Sequence, residues 1–185
     1  MTKIAVWCRH EGDNIIGVDG KIPWNVPSDS NRFWRLCAQM YMVCGRKTYE
    51  SLPQKEKAAH KIFVLTQNPE YKTENENLHF AVNKLKFFKD FEENLCISGG
   101  AEIYNLFMEK MPPEIVVDCV FEGSIKTPKA GQKVAQIGRS VEIMQQKYRK
   151  IGADVTVDNV RVSVWMKKGE FVDQKCLKFV LENYV

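Results

Sequence analysis

The stretch Pro23-Trp24-Asn25-Val26-Pro27-Ser28-Asp29-Ser30-Asn31-Arg32-Phe33-Trp34 sets one carboxylate, Asp29, among aromatic and apolar neighbours where a helix begins. Phe33 follows Asp29 by four positions, so on a helix starting near Pro27 the acid and the ring share one face. An acid walled by apolar groups loses solvation as a charge. It is therefore poised to hydrogen-bond a nitrogen heterocycle and to assist its protonation. The competing reading is that Asp29 only serves the free amides and the dipole of a helix start.

Two other segments bear on that choice. In Met42-Val43-Cys44-Gly45-Arg46-Lys47-Thr48-Tyr49-Glu50-Ser51-Leu52 an apolar strand ends in a glycine and a cationic pair before a helical segment. Glycine lets a phosphate approach the backbone, and helix-start amides with Arg46 and Lys47 supply donors and charge. In Leu95-Cys96-Ile97-Ser98-Gly99-Gly100-Ala101-Glu102-Ile103-Tyr104 a second strand runs into paired glycines and a helix. The Gly-x-Gly-x-x-Gly fingerprint of a Rossmann dinucleotide site is absent, and a tight turn without a ligand reads equally well there.

In this order the segments resemble the dihydrofolate reductase family over residues 3 to 122. Ile15-Ile16-Gly17-Val18-Asp19-Gly20-Lys21-Ile22-Pro23-Trp24 resembles its mobile active-site loop, and Ile62-Phe63-Val64-Leu65-Thr66-Gln67-Asn68-Pro69 a strand with its cofactor loop. The resemblance implies NADPH-dependent reduction of dihydrofolate to tetrahydrofolate, with hydride passing to C6 and Asp29 promoting protonation at N5. Trp24 and Ile22 would close over the reacting centre and keep water out. Phe33 and Leu52 would flank the substrate ring, with Val6, Trp7, Ser30, Ser98 and Tyr104 also in the substrate pocket. Arg46 and Thr48 would hold phosphate, with Gly45 and Lys47 beside them. Thr66, Gln67 and Asn68 fall where the adenosine 2′-phosphate is held, and Arg46 favours NADPH over NADH because a guanidinium grips phosphate bidentately. Ile16, Gly20, Lys21, Ala101, Glu102 and Ile103 complete the implied cofactor set. Gly99 and Gly100 match paired glycines whose connecting peptide is cis in the family.

Three positions depart from the family pattern. His60 stands where an arginine grips the carboxylate of the glutamate tail, and histidine is a weaker, pH-dependent partner, with Lys61 as possible compensation. Ser98 replaces an apolar residue whose carbonyl meets the pterin. Asp118, in Ile115-Val116-Val117-Asp118-Cys119-Val120, stands where a threonine bonds the catalytic acid and the pterin. A second carboxylate beside Asp29 would raise one of the two pKa values or share a proton. The alternatives are a one-residue offset in the match or an Asp118 that points to solvent.

These residues need a scaffold that delivers strand ends and helix starts to one place. Strands are expected near 3–8, 40–44, 61–66, 78–81, 95–98, 115–121 and 158–167, and helices near 28–38, 47–51, 83–90 and 101–109. Strands alternating with helices give an α/β fold, a single-domain, mostly parallel twisted sheet with helices on both faces. Val160, Val162 and Val164 alternate as in a half-buried strand and form an antiparallel C-terminal edge. The family-like domain spans 1–169, weakly from 123, and 170–185 is an extension packing on the body or a partner.

With 185 residues, 44% of them hydrophobic, the chain buries a full core without metals or disulfides. Residues 123–168 carry ten Lys and Arg against Glu142, Asp154 and Asp158 in a chain of net charge +4, which reads as a solvated face and excludes nucleic acid as a partner. No run nears the roughly 20 apolar residues a membrane span requires. The six cysteines are scattered without a Cys-x-x-Cys pair, and His10, His60 and His79 lie far apart, so no metal is expected. A monomeric cytoplasmic enzyme with reduced, buried thiols is the expectation.

Overall fold

The computed structural model describes residues 1–184. Its elements are β1 (Lys3–His10), β2 (Ile15–Val18), α1 (Pro27–Cys37), β3 (Tyr41–Gly45), α2 (Arg46–Ser51), α3 (Gln54–Ala59), β4 (Ile62–Leu65) and β5 (His79–Val82), then a 3-10 turn over Leu85–Lys89. They continue with β6 (Leu95–Ile97), α4 (Ala101–Lys110), β7 (Ile115–Phe121), β8 (Val134–Gln136), α5 (Gly138–Lys147), β9 (Tyr148–Val157), β10 (Val160–Lys167) and α6 (Gln174–Tyr184). No helix among the described residues is long and apolar enough to cross a membrane.

An eight-stranded sheet in the order β5-β4-β3-β6-β1-β7-β10-β9 forms the scaffold. From β5 to β7 every pairing is parallel, and β10 runs antiparallel to both its neighbours, β7 and β9. Parallel strands covered on both faces are mostly apolar, and all of β7 is buried accordingly, with Asp118 its one charged residue. Each Val or Ile side chain so removed from water contributes about 1.5–3 kcal/mol. One face packs Ile4, Val6, Val117 and Val162 against Leu36 and Cys37 of α1; the other packs Trp7, Ile97 and Val116 against Phe107 and Met108 of α4.

α1 begins with Pro27 at its first position, where a fixed φ and a missing N–H cost nothing, and no side chain caps it. Asp29 sits in that first turn. The expected helix over 83–90 is instead the 3-10 turn, with Phe88 buried and Phe87 exposed. Residues 123–157, read without elements, hold β8, α5 and β9. β9 escaped notice because it is a polar edge strand, with few buried residues and a glycine at positive φ, Gly152. α3 and β2 were likewise not anticipated. The tail forms α6, which buries Cys176, Val180 and Tyr184, with Val172 just before it, in the core beneath α1.

The segment matched to a mobile loop is tied down at its start. β2 pairs antiparallel with β8, and Asp19 and Gly20 take positive φ in a tight turn closed by reciprocal Val18 and Lys21 backbone bonds. The Asp19 carboxylate accepts the Lys133 amide and the Gln132 side chain, each at 2.8 Å.

Candidate active site

At the start of α1 the half-buried Asp29 lies near the thiols of Cys119 on β7 and Cys8 on β1, both of which act to lower its pKa. Its pKa is raised. Burial is the largest cause and outweighs the opposing pull of the Cys119 thiol, the Arg32 guanidinium and the Cys8 thiol. The position in the first turn also favours the anion, so desolvation wins against every local effect. The aromatic wall is present too. Phe33, Trp24 and Leu52 pack half-buried on this side of the core, and Trp24 stacks on Phe121 at 5.0 Å between centroids. Ile22, in contrast, is 61% exposed, and Ser30 faces solvent.

The two glycine turns lie side by side at the C-terminal edge of the sheet. The Gly45 amide donates to the Gly99 carbonyl at 2.8 Å, and the Gly99–Gly100 peptide is cis. A Cβ on Gly45 would stand 3.1 Å from Ile103, one on Gly99 3.0 Å from the Tyr104 ring, and one on Gly100 3.2 Å from the Thr48 hydroxyl. Neither α2 nor α4 has a side-chain cap at its start. Thr48 lies in the cradle, while Arg46 and Lys47 are exposed at its rim, with Arg46 bonded to Glu50 at 3.0 Å. Ala101, Glu102 and Ile103 form the first turn of α4. Ile103, Tyr104 and Thr48 thus pack closely on the two glycine turns where α2 and α4 begin.

Beyond β4, Thr66 and Asn68 line a cleft of about 580 Å³ that also touches Phe63, Val82, Lys84 and Phe87. The Asn68 amide donates to the Thr66 hydroxyl at 3.2 Å, and Gln67 is exposed. Ile16, Gly20 and Lys21 belong to the β2 hairpin described above.

Six residues singled out in the sequence are engaged by partners within the fold. Asp118 does not face Asp29. It leaves β7 on the opposite side, buried at 3% exposure, and takes Arg9 Nε at 2.8 Å, Arg9 Nη2 at 2.9 Å and the Trp7 indole N–H at 2.7 Å. Its neighbour Cys119 meets the acid instead, because adjacent residues of a strand point to opposite faces. Trp7 lies on the Asp118 side as well, edge-on to Tyr104 at 5.4 Å. Tyr104 donates to the Val6 carbonyl at 2.6 Å and backs the Gly99 turn. His60 is 5% exposed, with its ring nitrogens against the Glu56 and Trp34 carbonyls at 2.7 and 3.3 Å, so it offers nothing to a substrate carboxylate. Lys61 lies on the Tyr41 ring at 4.9 Å. Ser98 turns its hydroxyl onto the Cys96 carbonyl at 2.9 Å.

Cys8, Cys119 and Arg32 were missed as neighbours of the acid. Strand parity holds the signal for Cys8, which shares a face with Val6. β7 gives no such signal, since both of its faces are buried.

The family model described as dihydrofolate reductase matches residues 3–157. Dihydrofolate reductase of Enterococcus faecium is 32% identical over 124 residues, which are 65% of this chain and 74% of that protein. The Lactococcus lactis enzyme of the same name is 28% identical over 111 residues, 58% of this chain and 66% of that one. Among solved structures, dihydrofolate reductase from Enterococcus faecalis complexed with NADP(H) and RAB-propyl shares the fold, with a TM-score of 0.71 at 19% identity over 90% of this chain and 96% of that chain.

Proposed function

The chain belongs to the dihydrofolate reductase family, whose reaction is the NADPH-dependent reduction of dihydrofolate to tetrahydrofolate, and we propose that Asp29 is the group that holds the pterin and promotes protonation of N5. The observation that carries this reading is the half-buried Asp29 carboxyl, pushed upward in pKa by desolvation beside an aromatic wall. A carboxyl in that state accepts hydrogen bonds from a heterocycle and holds its proton to higher pH than an exposed carboxyl does. Phe33 and Leu52 sandwich the ring, and Trp24 with Ile22 shields it from water. Bound NADPH supplies the hydride to C6. Gly45, Gly99 and Gly100 admit its backbone, Arg46 and Thr48 hold phosphate at the α2 start, and Thr66, Gln67 and Asn68 take the 2′-phosphate.

The assay is loss of reduced-nicotinamide absorbance with dihydrofolate and NADPH. Asp29→Asn is expected to cut turnover by about 10²–10⁴-fold while NADPH binding, followed by fluorescence, stays unchanged. Full activity in Asp29→Asn would overturn the assignment. Because His60 is engaged with backbone carbonyls, the glutamate tail contributes little to binding here. In the same assay a dihydropterin lacking the tail should keep kcat/KM close to that of dihydrofolate.

A further inference from the structure

Trp24 lies between β2 and α1, outside both, so neither a strand ladder nor a helix fixes its ring. A second ring does so: Trp24 stacks on Phe121 with centroids 5.0 Å apart and planes 14° apart. We infer that Phe121, itself held by Gly123 and His10, is a positioning residue of the reduction that sets the Trp24 ring over the reacting centre, resting on the covering role given to Trp24 above.

Phe121 ends β7, buried, in register with His10 at the end of β1. A Cβ on Gly123 would collide with the Phe121 ring, so the chain after β7 closes on that ring only because residue 123 has no side chain. The His10 ring lies 6.4 Å from the Phe121 ring, tilted by 43°. His10 is braced in turn, with one ring nitrogen 2.9 Å from the Asp13 carboxylate and the other 3.2 Å from the Gly123 carbonyl. Asp13 also accepts the Ile15 amide at 3.0 Å, at the first residue of β2. The Glu11 amide donates to the Phe121 carbonyl at 3.0 Å, which ties the ends of the two strands together. The segment over the site is therefore pinned on either side of the exposed Ile22, by β2 paired with β8 and by Trp24 on Phe121. An aromatic pair is worth more than the area it buries, and a misplacement of about 1 Å near reacting atoms costs rate. Phe121 thus passes the rigid end of β7 on to a side chain that its own segment leaves free.

Phe121→Leu keeps an apolar side chain and removes the stack. Single-turnover loss of reduced-nicotinamide absorbance with dihydrofolate should then slow by about 2–10-fold, the factor an aromatic pair is worth, with the NADPH dissociation constant unchanged. Gly123→Ala, which pushes the ring aside, should slow it likewise, and Phe121→Tyr, which keeps a ring, should hold the wild-type rate. Because His10 acts through Phe121, His10→Ala should slow the wild type but add nothing to Phe121→Leu. The stack itself is read without turnover from the near-ultraviolet circular dichroism of Trp24, assigned as the difference between wild type and Trp24→Phe. Loss of that band together with rate in Phe121→Leu and Gly123→Ala, and retention of both in Phe121→Tyr, supports the proposal. A folded Phe121→Leu that keeps the wild-type rate, or that slows with the Trp24 band intact, overturns it. A Trp24→Phe variant as fast as wild type refutes instead the covering role of Trp24, on which the positioning role rests.

Discussion

Two buried carboxylates flank β7 on opposite faces, and their partners differ in kind. Asp118 is gripped by a guanidinium fork and an indole N–H, strong donors in fixed geometry. Around Asp29 burial outweighs the lowering effect of the Cys119 thiol, the Arg32 charge and the Cys8 thiol on its pKa. Donors of the first kind lock an anion in place and build structure. Those of the second leave a carboxyl that changes its protonation easily, as proton transfer to a substrate requires.

Removing the fork should have the largest effect on stability. Arg9→Met strands Asp118 as an uncompensated buried charge, with an expected loss of about 3–5 kcal/mol in urea denaturation. Asp118→Asn weakens three donors at once and should cost about 1–3 kcal/mol, leaving the pH profile of reduction in place. The smallest effect has the opposite sign. Asp29 has a raised pKa in the folded state, so burial penalises its charged form, and that penalty exists at neutral pH and fades as pH falls through the raised pKa. Asp29→Asn should therefore unfold at a higher temperature than wild type near pH 7 and lose this advantage in acid, while losing activity. Were Asp118→Asn also to stabilise the fold, the contrast between the two acids would collapse.

The legible part of the site was local. Asp29 and Phe33 are one helical turn apart, and Pro27 marks the start of that turn, so a short window of sequence places both on one face. Gly45 and Gly99–Gly100 announced themselves because only glycine leaves room at a strand end where a side chain would meet Ile103, Tyr104 or Thr48. Asp118 misled because β7 is buried on both faces and has no polar side to fix its register. His60 misled because a residue type shows what a ring can bind but not that two backbone carbonyls already occupy it.

By itself, the sequence determined the alternation of strands and helices, the parallel sheet, the acid at a helix start and the glycine turns, since each is written within a few neighbouring residues. Tertiary structure alone decided which side chains surround the acid. Cys8, Cys119 and Tyr184 come from β1, β7 and α6, and Arg9 meets Asp118 across a strand pair. Those meetings depend on register between segments distant in the chain, where a shift of one residue turns a side chain to the opposite face of the sheet.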